Sequence, residues 1–197
     1  MNAFRRSLQR PLHALTVHSY SEYAHHLNGG VTTLIIDADQ DRWFDLGHIP
    51  ADVDVTIVGQ SCAAVTGGSI TAAGQCFLQV SYEAHVTVYE HAHVEAFDSA
   101  VVEAHGSSRI VGTDHVTIRA SGHAVVFAHG NCHVHAVGET LVAATDTTTV
   151  VIDGSAQVRA SGSVRVSGND LPTNLTIDTR PISRLADHLS RQESTFE

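Results

Sequence analysis

From Ile70 onward the chain places a branched aliphatic residue at every eighth position: Ile70, Leu78, Val86, Val94, Val102, Ile110, Ile118, Val126, Val134, Val142, Val150, Val158 and Val166. Two residues after each, the position is most often Ala, as at Ala72, Ala96, Ala104, Ala120, Ala128, Ala136, Ala144 and Ala160. Four residues after, it is Gly or Asp in eleven of thirteen copies, Tyr82 and Glu90 being the exceptions. Six residues after, it is again small or apolar, as at Cys76, Ala84, Ala92, Ala100, Val116, Ala124, Cys132, Ala156 and Val164. The unit is V-x-A-x-[GD]-x-A-x. Apolar even positions and polar odd positions carry the two-residue period of a strand with one buried face, which no helix can use. Gly, and to a lesser degree Asp, tolerates the positive φ of a sharp bend, so each octad predicts one short strand and one corner. A unit this small cannot bury its own apolar face. It must stack on copies of itself, and the expected fold is all-β, a parallel β-solenoid.

The interior available to such a coil is lined by Val, Ala and other small side chains, which fill only a narrow space at native density. Two octads per coil, sixteen residues, give two short sheets across a thin core. Three octads would enclose a prism too wide for Ala to fill. At sixteen-residue spacing Asp98, Asp114 and Asp146 fall on one side, and Gly106, Gly122, Gly138 and Gly154 on the other. The rival arrangement is a trimer in which each of three chains contributes one octad per turn.

Three regions follow: residues 1–69 as an N-terminal arm, helix and cap, 70–170 as the octad solenoid, and 171–197 as a C-terminal strand, helix and tail. In the first, Ser19 and Glu22 match a capping box, and Tyr20, Tyr23, Ala24 and Leu27 predict a short amphipathic helix ending at Asn28-Gly29-Gly30. Strands are expected over residues 31–36 and 53–58. The stretch 37–50, with Trp43, Phe44 and Leu46, reads as a loop. The first helix is expected to cover the open end of the solenoid, since a bare terminal coil exposes strand edges and core. At the other end, residues 174–178 predict a last strand, and Ile182, Leu185, Ala186 and Leu189 the apolar side of a second capping helix.

Charge and composition narrow the function. The 197 residues carry 21 acids against 11 basic residues, a formal net charge of −10, which argues against direct nucleic-acid binding through a basic face. No run approaches the length of about 20 apolar residues that spans a bilayer, and the N-terminus lacks a signal-peptide core, so no membrane association is expected. Cys62, Cys76 and Cys132 share the inward parity and read as buried, reduced thiols, which suggests a cytoplasmic protein.

Fifteen His are present, and nine of them (His85, His91, His93, His105, His115, His123, His129, His133 and His135) occupy odd, outward positions. His133 and His135, with His129 near them, are the candidate ligands for a divalent transition metal. A pH-responsive surface is the other use of so many imidazoles. No P-loop, nucleophile elbow or dinucleotide fingerprint occurs, and the acid group Asp37, Asp39 and Asp41 reads as a solvated turn. Neither catalysis nor a cofactor is expected. The mixed outward column Thr87, Glu103, Arg119, His135 and Val151 lacks the flat Thr ladders of ice-binding solenoids.

Several copies of the unit, Asp98-Ser99-Ala100, Gly154-Ser155-Ala156 and Gly162-Ser163, carry a Ser after the corner. In this the repeat resembles the V-x-A-x-[DG]-S-A-x octads of uncharacterised proteins of actinobacteria and their phages. The resemblance covers about half the chain and implies the solenoid fold, with no activity and no site residues. This chain differs in its His and bulky outward residues. Tyr89, Phe97, Val101, Val111, Val125, Phe127, Val137 and Leu141 break the polar odd pattern. At sixteen residues per coil Val111 stacks on Phe127 and Val125 on Leu141. Together with Phe97 these predict one apolar strip edged by His93, Glu95, Arg109 and His129, a surface for a protein partner. The expected function is a binding protein of this kind, in the manner of a phage inhibitor of a host defence complex. A trimeric structural spike is the alternative, a His-based metal or pH module the third reading, and self-association is compatible with the first two.

Overall fold

A computed structural model describes residues 14–168 and 176–177. Eleven strands from β8 to β18 begin at eight-residue intervals: His85–Val88 (β8), His93–Ala96 (β9), Val101–Ala104 (β10), Arg109–Gly112 (β11), Thr117–Ala120 (β12), Val125–Ala128 (β13), His133–Val137 (β14), Leu141–Ala144 (β15), Thr149–Asp153 (β16), Gln157–Ala160 (β17) and Arg165–Gly168 (β18). Before them come Leu15–Val17 (β1), the helix Tyr20–Asn28 (α1), Thr33–Ala38 (β2), Trp43–His48 (β3), Asp54–Gly59 (β4), Cys62–Gly67 (β5), Ser69–Ala72 (β6) and Phe77–Val80 (β7). Thr176–Ile177 (β19) follows. Even-numbered strands and β1 form a ten-stranded parallel sheet, odd-numbered strands from β3 to β19 a nine-stranded one. The chain alternates between the two, coil upon coil, as a parallel β-solenoid of about ten turns.

Val102 pairs with Val86 on one side and Ile118 on the other, and Val126 with Ile110 and Val142, so each coil advances sixteen residues and closes within one chain. Between the sheets lies one apolar cluster running from Val17 to Ala160, with Val94, Val102, Ile110, Ile118 and Val126 fully buried. Side chains six positions into the octad sit just inside the bends. Three of the polar ones bond to the bend: Thr140 Oγ1 donates to the Val137 carbonyl at 2.8 Å, Thr148 Oγ1 to the Thr145 carbonyl at 2.8 Å, and Cys132 Sγ to the His129 carbonyl at 3.0 Å. The buried Ser108 hydroxyl, at the same octad position, has no hydrogen-bond partner among the described residues.

All twelve corner residues from Gly74 to Gly162 have positive φ, including Tyr82 (53°) and Glu90 (61°), where the sequence supplies neither Gly nor Asp. The bend is therefore imposed by the stack. Asp has its own use there, because its carboxylate reaches back one coil. Asp98 Oδ2 accepts from the Tyr82 N–H at 3.2 Å, and Asp146 Oδ2 from the Gly130 N–H at 3.0 Å and from Thr145 Oγ1 at 2.8 Å. The Gly130 bond, then the Thr145 bond and the nearby His129, hold the Asp146 carboxyl below its ordinary value. A carboxyl whose pKa is lowered on folding stabilises the fold above its unfolded pKa, and that contribution disappears as pH falls through the folded value. Asp146→Asn should accordingly lower the melting temperature slightly at pH 7, and the gap to the parent protein should close as pH drops below 4. A gap independent of pH would show that the charge is not what the Gly130 N–H uses.

The sheets begin well before the regular octads do. Leu15 pairs with Leu34 and Leu34 with Val55, coils of nineteen and twenty-one residues, and the boundary expected at residue 69 does not interrupt either sheet. The helix is the one expected: Ser19 Oγ accepts from the Glu22 N–H, Gly29 follows its end, and buried Tyr23 joins the core with Leu27 against it. Strands β2 and β4 also lie where expected. In place of the expected loop, however, residues 43–48 form β3, with Phe44 and Leu46 buried beneath outward Trp43 and Asp45. The alternation is present there, but polar neighbours and the shifts around Gly47 disguise it. At the far end β19 adds to β17 inside the stretch expected as a strand. The arm expected over residues 1–16 ends in strand β1, which takes in Leu15 and Thr16; residues 1–13 and the expected C-terminal helix lie outside the described residues.

One inward assignment fails. Cys62 pairs with outward Phe77, and Ala63 with inward Leu78, a step of fifteen that reverses the parity of β5; the next step upstream, nineteen residues from Phe44 to Ala63, restores it in β3. A one-residue shift moves a whole strand's side chains to its other face. Cys62 is therefore a partly exposed residue of the outer surface, whereas Cys76 and Cys132 are buried, and burial pushes the Cys76 thiol up to about 12. A thiol reagent at pH 8 should modify Cys62 first, and Cys76 and Cys132 only on unfolding. Equal native rates at all three would contradict the fold of β5.

Candidate functional site

Each sheet turns one face to the core and one to solvent, and the two solvent faces differ. On the ten-stranded sheet the outward pairs from β6 to β18 are Ser69/Thr71, His85/Thr87, Val101/Glu103, Thr117/Arg119, His133/His135, Thr149/Val151 and Arg165/Ser167. It is mainly polar, with three outward Val (Val101, Val137 and Val151) and a surface ion pair, Arg119 to Glu103 at 3.0 Å.

The nine-stranded sheet carries two outward columns. One runs Trp43, Cys62, Phe77, His93, Arg109, Val125, Leu141, Gln157; the other Asp45, Ala64, Gln79, Glu95, Val111, Phe127, Ala143, Arg159. Val111, Val125, Phe127 and Leu141 thus meet as the spacing predicts, and Ala143 completes the patch. Leu141 is 45% exposed. Phe97, at the corner after β9, lies beyond Glu95 on the same coil, diagonal to Val111, and borders the strip rather than filling it. Three other outward apolar residues belong elsewhere: Val101 and Val137 lie on strands of the ten-stranded sheet, and Tyr89, just after β8, stacks on His105 at 5.2 Å.

Cations and rings are interleaved along the strip. The Arg109 guanidinium lies over the Phe127 ring, 5.1 Å from its centroid, an attraction of about 0.5–1 kcal/mol at an exposed site. Beyond it, Phe77 meets His93 edge to face at 5.0 Å and Trp43 at 5.8 Å, small Cys62 between them letting the larger rings touch. Sequence reasoning missed Trp43 and Phe77. Phe77 does break the odd, polar pattern and was legible. Trp43 joins it only once β3 is a strand and the fifteen-residue step is known. Glu95 accepts from Gln79 Nε2 at 3.1 Å.

Among the described residues none of the histidines is fully buried, and several of them pair one coil away. His105 Nδ1 is 2.8 Å from Ser121 Oγ, His129 Nδ1 3.1 Å from Thr145 Oγ1, His123 3.1 Å from Glu139, and His135 Nε2 2.9 Å from Asp153 Oδ2. The acidic partner of His135 is eighteen residues away, beyond the reach of local inspection. The three metal candidates are not brought together. The bend at Gly130 leaves His129 at the end of β13 in one sheet and carries His133 and His135 onto β14 in the other. Among the described residues no group of three or more His, Cys, Asp or Glu side chains is placed to hold a metal ion. Among the same residues, no helix is long and apolar enough to cross a membrane.

No family model, no curated protein and no solved structure matches this chain.

Proposed function

We propose that this chain is a non-enzymatic binding protein of the cytoplasm, whose solenoid presents the outer face of the nine-stranded sheet to a protein partner. The single observation that supports it is the asymmetry between the two outer faces. Outward residues of a solenoid do not support its core, so large apolar ones gather on one face only where something covers them. Val111, Val125, Phe127, Leu141 and Ala143 adjoin on the nine-stranded face, while the ten-stranded face sets its three outward Val, Val101, Val137 and Val151, among Thr, His, Glu and Arg and carries no Phe, Tyr or Trp from β6 to β18. Aromatic and Arg side chains, which dominate contact energies at protein interfaces, border the same strip. The net charge of −10 favours a protein over a nucleic acid. Small size, acidity and an irregular surface on a regular core suit a phage-type inhibitor of a host defence complex.

A photo-cross-linking amino acid at position 143, in the cells that make the protein, should capture a protein, and one at position 117 on the opposite face should not. Phe127→Ser combined with Val111→Ser should abolish that capture and weaken binding at least thirtyfold, about 2 kcal/mol, with the melting temperature nearly unchanged. Equal capture from position 117, or capture that survives the double change, would refute the reading.

A further inference from the structure

We infer that the partner covering the strip is a second copy of this chain, packed face to face about a two-fold axis parallel to β13 and passing beside Phe127. This rests on the strip being a contact surface, and the column through Phe127 supplies the reason. Counted in coils from Phe127, the column reads Glu95 two before, Val111 one before, Ala143 one after and Arg159 two after. An axis along the strand through Phe127 reverses the order of coils and keeps each column opposite its own copy. Phe127 then meets its counterpart, Val111 meets Ala143, and Glu95 meets Arg159 twice, once at each end, about 10 Å from the axis.

The neighbouring column obeys the same operation. Val125 meets its counterpart, Arg109 meets Leu141, and His93 meets Gln157. In both columns no acid opposes an acid and no Arg opposes an Arg. An isologous interface demands this self-complementarity, whereas a patch shaped for an unrelated protein has no reason to hold opposite charges equidistant from its central aromatic residue. The Arg109 group that lies over Phe127 would close the apolar centre from the side. Glu95 already accepts from Gln79 on its own face, which fixes the carboxylate's direction without neutralising it.

The surface involved is small, about 24 Å along the solenoid by about 13 Å along the strands, so the dimer should be reversible, with a dissociation constant in the micromolar range.

Sedimentation equilibrium of the purified full chain, from about 1 to about 200 μM, tests this. A monomer–dimer equilibrium is expected. Glu95→Arg and Arg159→Glu should each raise the dissociation constant at least about a hundredfold, because each puts like charges together twice, and the double reversal should restore association to within about tenfold of the parent. Phe127→Ser with Val111→Ser should give a monomer of unchanged melting temperature. A parent protein that is monomeric throughout, a trimer, or a double reversal that fails to recover would overturn the dimer. The cross-link from position 143 separates this failure from failure of the underlying proposal. A product of twice the chain mass supports self-association, a product with a different protein overturns it while leaving the strip as the contact, and no product removes both.

Discussion

Val126→Asp should unfold the protein or cost it at least about 4 kcal/mol, measured by denaturant titration. Val126 is fully buried on β13 between Ile110 and Val142 of the adjacent coils, and the core between the sheets is a continuous apolar cluster. A carboxylate there has no partner. It remains ionised in a medium that solvates it poorly or takes up a proton and leaves a buried polar group, and either course costs several kcal/mol. In a solenoid each coil contacts only its neighbours, so a defect at mid-stack also uncouples the coils on either side. Val125→Asp, one residue earlier and facing solvent, should cost under about 1 kcal/mol. His123→Ala should cost under about 0.5 kcal/mol, since its contact with Glu139 is exposed on both sides. Equal losses at positions 125 and 126 would disprove the alternation on which the fold depends.

The second large effect is expected from a single methyl group. Gly68→Ala should destabilise by at least about 3 kcal/mol, while Gly47→Ala should cost only the about 1–2 kcal/mol of an L residue held at positive φ. Both glycines have positive φ, 81° and 59° respectively. They differ in what surrounds them. Nothing lies within 4 Å of a Cβ on Gly47, whereas one on Gly68 would stand 2.1 Å from the Ile49 carbonyl oxygen. That backbone cannot yield easily, because the Ile49 N–H donates to Gly67 at 2.9 Å and the Gly68 carbonyl accepts from the His85 N–H at 2.8 Å. The clash sits where the irregular coils join the regular ones. Similar melting temperatures for the two variants would show that the close approach is not maintained in solution.

Where the eight-residue period runs, from Ile70 to Val166, local alternation was enough to derive the architecture. A buried side chain at every second position forces a strand, a residue tolerant of positive φ at every eighth forces a corner, and small side chains admit only a thin interior. The stacking of Val111 on Phe127 and of Val125 on Leu141 followed from the same arithmetic. It failed upstream, at Cys62 and Trp43, because there the coils take fifteen, nineteen or twenty-one residues, and parity cannot be carried across a step whose length is unknown.

The sequence by itself thus determined the sheets, the core and the corner positions, since these depend on contacts that recur at a fixed short spacing. Only the tertiary structure decided what lies side by side across coils of unequal length and across a bend: Trp43 beside Phe77, Asp153 beside His135, and His129 apart from His133. Those relations depend on the closed path of each coil. A single inserted or missing residue shifts that path, and with it which outward side chains share a face.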